Sequence, residues 1–269
     1  MAIDPRGGLA WLALGVVLAA FAATGCAPST PAAAQRGTAV VVFIDFSSSI
    51  PGDDRTAYRR EIEGEILPTL GAGDRLMIAP IHDRTLTEFR PLVDANLPVK
   101  PQFNGWFDNV MKHNRETREI EARAVQVKDR IKTDVAHVFS KRFASLQTDI
   151  FSSLIIAQKV FHEERRRKVL VLMSDMIEDS PIYRFDRMTW NADTTEKILT
   201  DLDAKALIPK LPGVCVYVSG VSAKSADLAE NIGRFWHAYF KRTGADMDPS
   251  RYAHVLLHWP PSSTCRSSA

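Results

Sequence analysis

Two carboxylates and three hydroxyls, spread over three segments, are the side chains of this sequence best suited to chemistry. Asp45, Ser47 and Ser49 fall at every second position of "DFSSSI", directly after an apolar run. Thr148 opens the segment "DIFSSLIIAQKVFHEE" (149–164), and Asp175 ends "KVLVLMSD" (168–175). Carboxylates buried without compensation are costly. Oxygen donors that include hydroxyls suit a hard divalent cation, Mg²⁺ or Mn²⁺, and not Zn²⁺. A metal-free reading stands beside this one, in which Asp45 caps loop amides and the serines cap the next turn.

For these groups to meet, the elements that carry them must end at one edge. "TAVVVFIDF" (38–46) is continuous and β-branched, as in a strand buried on both faces. "TAYRREIEGEILPTL" (56–70) spaces Tyr58, Ile62, Ile66 and Leu70 as a helix does, and "RLMIAPIH" (75–82) reads as a strand. "LTEFRPLV" (86–93) reads as a third strand, placed at an edge by Pro91. Beyond it, helices at 149–164, 194–206 and 225–244 alternate with strands at 168–175, 213–222 and 254–259. This order predicts an α/β fold: a doubly wound, mainly parallel sheet with helices on both faces. In such sheets ligands sit beyond the carboxyl ends of the strands, where Asp45 and Asp175 are expected.

Residues 94–145 depart from simple alternation. An irregular stretch is followed by apolar residues Ile120, Ala124, Val127, Ile131, Val135 and Val138, one helical stripe in a long insertion of about residues 116–143. The helix either lies on the sheet or offers its stripe to a partner. Trp236 and Phe240 in "FWHAYF" pack against a neighbouring element or face a partner. "RRRK" (165–168) reads as cations complementing the end of a helix.

The Asp-x-Ser-x-Ser of Asp45–Ser49, the threonine opening a later helix and the aspartate of "MSD" together resemble a von Willebrand factor A domain. The resemblance covers residues 38–260. It implies a metal-ion-dependent adhesion site in which Ser47, Ser49 and Thr148 give hydroxyls and Asp45 and Asp175 give carboxylates, some through water. In that family a partner protein's carboxylate commonly fills an open position on the ion, and most members bind without catalysing. Two positions differ from the family's habit: Leu146 and Met176 stand where glycine is frequent, so the second and third loops are expected to differ in shape.

His82 and Asp83 end the second strand, and Glu178 and Asp179 follow Asp175, so all four are candidates for the rim of the site. An alternative assigns His82, Asp83 and Glu178 acid–base work in a metal-dependent hydrolase. No nucleophile elbow, phosphate loop or zinc spacing accompanies them, and the sequence points to a binding protein and not an enzyme. A further alternative is a metal-free scaffold assembled through the long helix.

The 269 residues carry 45% hydrophobic and 25% charged side chains with a net charge of +2, ordinary for a globular chain and without overall attraction to nucleic acid. Residues 9–23, "LAWLALGVVLAAFAA", have the size of a signal-peptide core, and "ATGC" ending at Cys26 resembles a bacterial lipoprotein signal. That resemblance implies a signal over 1–25, lipid on Cys26, a flexible tether over 26–37, the A-like domain over 38–260 and a tail over 261–269. Plain secretion and an uncleaved anchor helix are the alternatives. Ala27 is not the aspartate of inner-membrane retention, which favours the outer membrane, facing the periplasm. An oxidising compartment permits a Cys215–Cys265 disulfide, or leaves both unpaired with Cys215 in the core.

Overall fold

A computed structural model describes residues 37–269, except 84, 104, 106–108, 142–144, 146, 263–264 and 266–269. The signal segment, Cys26, most of the tether and Leu146 therefore lie outside the described residues.

Strand β1 (Thr38–Asp45) is followed by α1 (Gly52–Glu61), a π turn (Ile62–Ile66) and a single turn, α2 (Leu67–Thr69). The π turn has a cause in sequence: Pro68 has no N–H to give to the carbonyl of Gly64, so the regular helical ladder cannot pass through it. Next come β2 (Arg75–Ile81), β3 (Val93–Asn96), α3 (Val110–Ser140) and α4 (Ile150–His162). β4 (Arg167–Met173), α5 (Thr194–Ala204), β5 (Val214–Ser219) and α6 (Ala226–Thr243) complete the alternation.

The five strands lie in the order β3-β2-β1-β4-β5, parallel except for β3, which pairs antiparallel to β2. Central β1 is buried on both faces from Ala39 to Asp45. Its Val40, Val42 and Ile44 meet Tyr58, Ile62 and Ile66 together with Ile131, Val135 and Val138 of α3. On the other face, Val41 and Phe43 join Phe151, Leu154, Leu199, Phe235 and Trp236 from α4, α5 and α6. Each such side chain contributes about 1.5–3 kcal/mol by leaving water, which is why this unbroken apolar run holds the middle of the sheet.

Three elements differ from expectation. The third strand begins at Val93, after Pro91, and residues 86–92 form turns and loop. From that stretch, Leu92 N–H donates to the Ile78 carbonyl at 2.7 Å. Residues 254–259 form no strand: Leu256 N–H donates to the Glu61 carboxylate at 2.8 Å, His258 has φ 57°, and Val255 and Leu257 are exposed. The edge of β5 is met instead by isolated bridges to Asp246 and Tyr252. The long helix starts at Val110, where the Asn109 side chain accepts the N–H groups of Met111 and Lys112. Its carboxyl half packs on the sheet, while Val110, Met111 and Val125 of its amino half are exposed.

Trp236 and Phe240 are fully buried, so both belong to the core. Cys215 and Cys265 form a disulfide with Cα atoms 5.8 Å apart, tying the tail to β5. The "RRRK" run lies beyond α4 and enters β4. Arg166 pairs with Glu164 and Asn96, and Arg167 reaches the carbonyls of Pro261 and Ser262.

Candidate metal centre

β1 and β4 are adjacent and parallel, so their carboxyl ends deliver two loops side by side. The first runs from Asp45 through Ser49 and the third from Ser174 through Asp179. The second, ending at Thr148, is tied to both by backbone. Ser48 N–H donates to the Ser145 carbonyl at 3.2 Å, and Thr148 and Asp179 exchange two N–H to carbonyl bonds at 3.0 Å. Three segments distant in sequence are thereby locked into one edge.

At the centre of this edge is a cavity of about 210 Å³, lined by Ser47, Ser48, Ser49, Thr148 and Asp175, with Ile177, Asp179, Asp186 and Lys224 farther round. The Ser47 and Ser49 hydroxyls are 2.8 Å apart. Asp45 lies one layer deeper, wholly buried. Its Oδ1 accepts the Ser47 N–H at 2.8 Å and its Oδ2 the Ser174 hydroxyl at 2.9 Å. Asp175 Oδ1 accepts the Ile177 N–H at 2.8 Å, which shapes the third loop.

The electrostatics are unsatisfied. Burial pushes the Asp45 carboxyl above the ordinary carboxylate range, and bonds from Ser47, Ser174 and Thr148 only partly offset this. Asp175 is pushed up to about 7, first by burial and then by the charge of Asp45, against bonds from Ile177 and Ser49. Among the described residues neither carboxylate has a Lys or Arg in an ion pair with it. Like charges sharing a buried site raise each other's cost of ionisation, and a cation between them removes that cost. The donor set of two carboxylates and three hydroxyls therefore fits a hard divalent ion.

The four predicted rim residues separate. Asp179 lines the cavity, with a carboxylate 3.1 Å from the Arg184 guanidinium. Glu178 does not: it is fully buried, and its Oε2 accepts the Ile150 N–H at 2.8 Å. It holds the amino terminus of α4, and burial keeps its carboxyl well above the usual range. Sequence placed it at the rim because it follows Asp175 by three positions; the third loop instead turns it inward beneath α4. His82 and Asp83 follow β2 on the same edge, but neither lines the cavity. The acid–base trio of the hydrolase alternative is thus not assembled around the cleft.

Several supporting residues were not visible in the sequence. Ser174 bridges Asp45 and the Met176 N–H, the latter at 3.0 Å. Arg55 of α1 donates to the carbonyls of Ser47 at 2.6 Å and Phe46 at 3.2 Å, fixing the first loop from below. Met176 has φ 64°, the left-handed conformation that glycine adopts freely. The loop thus keeps this turn with a methionine, whose side chain is buried in the core. Only the serine beside Asp175 gave any hint. A lone arginine near a helix start carries none.

No protein-family profile and no curated protein sequence matches the chain. Among solved structures, it is similar to proximal thread matrix protein 1 from the mussel byssus, at 10% identity and a TM-score of 0.38. That alignment covers 82% of this chain and 44% of the other, so the chain spans less than half of the mussel protein's length. It is also similar to a manganese-loaded Plasmodium vivax TRAP protein, at 11% identity and a TM-score of 0.40, covering 80% of this chain and 67% of that one. Neither similarity, at these levels, says what the chain binds.

Proposed function

We propose that this chain is an adhesion-type binding protein that uses a divalent cation, Mg²⁺ or Mn²⁺, to take hold of a protein partner. Ser47, Ser49, Thr148 and Asp175 hold the ion, and Asp45 supports it from beneath through hydroxyls or water. The bound ion supplies a positive centre for an oxygen ligand, and an acidic side chain of the partner completes its shell. Lys224, on the same cavity, adds a second positive group for an acidic partner. The observation that carries this reading is the pair Asp45 and Asp175: two buried carboxylates beside clustered hydroxyls, with no basic ion-pair partner among the described residues.

The proposal places the domain outside the cytoplasm, tethered through lipid on Cys26, with the outer membrane favoured. Among the described residues no helix is long and apolar enough to cross a membrane. Capture of binding proteins from a cell-envelope extract tests the partner claim. Capture is expected with Mg²⁺ present, and is expected to be lost with chelator and in Asp45→Ala. Capture that survives both treatments contradicts it.

A further inference from the structure

The cation cleft lies at the carboxyl end of the parallel sheet, and the chain enters the sheet at the opposite end. Gly37 stands there, its carbonyl accepting the Arg167 N–H at 3.1 Å, and Thr38 begins β1 beside Arg75 and Arg167. The amino-end edge also holds a second cavity, of about 390 Å³, lined by Lys168, Lys210, His162 and Gln158 over an apolar floor that includes Phe161 and Leu211. No acidic residue is among its described lining, and no described residue forms an ion pair with either lysine. Lysines at helix ends are ordinarily explained by the helix dipole. Lys168 instead is the second residue of β4, and Lys210 sits in the loop before β5, its N–H donating to the Gln158 side chain at 2.5 Å.

We infer that this basic edge rests on an anionic phospholipid surface, with Lys168 and Lys210 meeting lipid phosphates and the cation cleft turned away from the membrane. Charge complementarity supports it: lysine ammonium groups near an anionic leaflet are attracted within a Debye length. Chain length supports it too. Eleven residues separate Cys26 from Thr38, and a flexible segment of that size has a mean reach of roughly 20 Å. A lipid on Cys26 would keep the entry edge near the headgroups. The inference rests on the tether reading in that respect, but the basic cavity makes its own prediction.

The test uses the full-length chain, mixed with vesicles of phosphatidylcholine alone or of phosphatidylcholine with phosphatidylglycerol. Co-sedimentation reports attachment, and amine labelling read by mass spectrometry reports each lysine. Labelling of Lys168 and Lys210 is expected to fall severalfold on the anionic vesicles alone, while Lys224 at the cleft labels equally on both. In Lys210→Glu, an exposed change, Lys168 should regain most of its labelling, since each basic group near the surface is worth roughly fivefold in attachment. Attachment to both vesicles with unchanged lysine labelling overturns the inference and leaves the tether standing. Attachment and protection on anionic vesicles only uphold the inference and overturn the tether. No attachment to either overturns both.

Discussion

The indole N–H of Trp236 donates to the main-chain carbonyl of Met176 at 2.8 Å, joining the core helix α6 to the third loop of the cleft. Met176 directly follows Asp175, so the position of one cleft carboxylate depends on a tryptophan inside the protein. Replacing Trp236 with Phe removes that bond and some packing volume. A loss of about 1–3 kcal/mol is expected in urea unfolding. Mn²⁺ affinity should fall as well, whereas Phe240→Leu should lower stability and leave affinity near that of the parent. Equal affinity losses in the two variants would show that the bond has no special link to the site.

Met176 itself gives a prediction of unusual sign. At φ 64° a side chain costs roughly 1–2 kcal/mol that glycine does not incur. Met176→Ala and Met176→Gly both lose the buried side chain, about 2–4 kcal/mol. Only the glycine variant relieves the backbone. It should therefore be the more stable of the two by about 1 kcal/mol, the reverse of the order within a helix. Chemical denaturation of the pair decides this, and an alanine variant equal to or better than glycine refutes the strained turn.

The raised carboxyl of Asp175 makes metal-free stability depend on pH. Its folded pKa, about 7, lies above the ordinary aspartate value of 3.8. Between those values the folded chain binds more protons than the unfolded one, so this group's stabilisation is present in acid and is lost as pH rises toward 7. Metal-free protein should lose stability over that window, and Asp175→Asn should flatten the loss. Divalent ions should act in the opposite sense, binding more tightly as pH rises because they compete with the proton. Thermal melts of both proteins across the window, with and without Mg²⁺, measure each part.

Glu178 tests which carboxylates support the fold and which line the cleft. Glu178→Gln keeps an acceptor for the Ile150 N–H and should change stability by less than about 1 kcal/mol. Glu178→Ala leaves that amide unpaired at about 1–3 kcal/mol. Calorimetric metal titration should give the parent affinity in the Gln variant. A large loss of metal binding in that variant would make Glu178 part of the site after all.

The Cys215–Cys265 disulfide closes a loop with a sequence separation of 50. Loop-closure entropy assigns such a bridge about 4 kcal/mol. Cys265→Ser should lower the unfolding midpoint in urea accordingly, and reductant should lower the parent to a similar value while leaving the variant unchanged. Asp246 also lies close to both sulfurs, but Arg251 takes its carboxylate at 2.8 Å. With both thiols bonded to each other, this cluster is covalent and not a cation site.

Much of this organisation was legible because it follows from periodicity. The apolar run from Ala39 to Ile44 reads as a strand covered on both faces, and the alternation that follows points to a parallel sheet whose strands end at one edge. The cleft residues Ser47, Ser49, Thr148 and Asp175 were legible for the same reason, each standing at the end of a periodic segment. What remained hidden depends on contacts between segments. Residues 254–259 hold a short apolar run like a strand's, yet the Glu61 carboxylate takes the Leu256 amide and turns the chain away from the sheet. Glu178 is one residue from the rim in sequence but faces α4, and Arg55 serves the first loop from a helix of ordinary composition. No local pattern encodes such pairings.

The most direct test of the central claim is calorimetric titration of Mg²⁺ and Mn²⁺ into the purified protein and its Asp45→Ala variant at neutral pH. One saturable site in the parent, absent in the variant, is the predicted result. A parent that takes up no ion, in heat or in thermal stability, would contradict it.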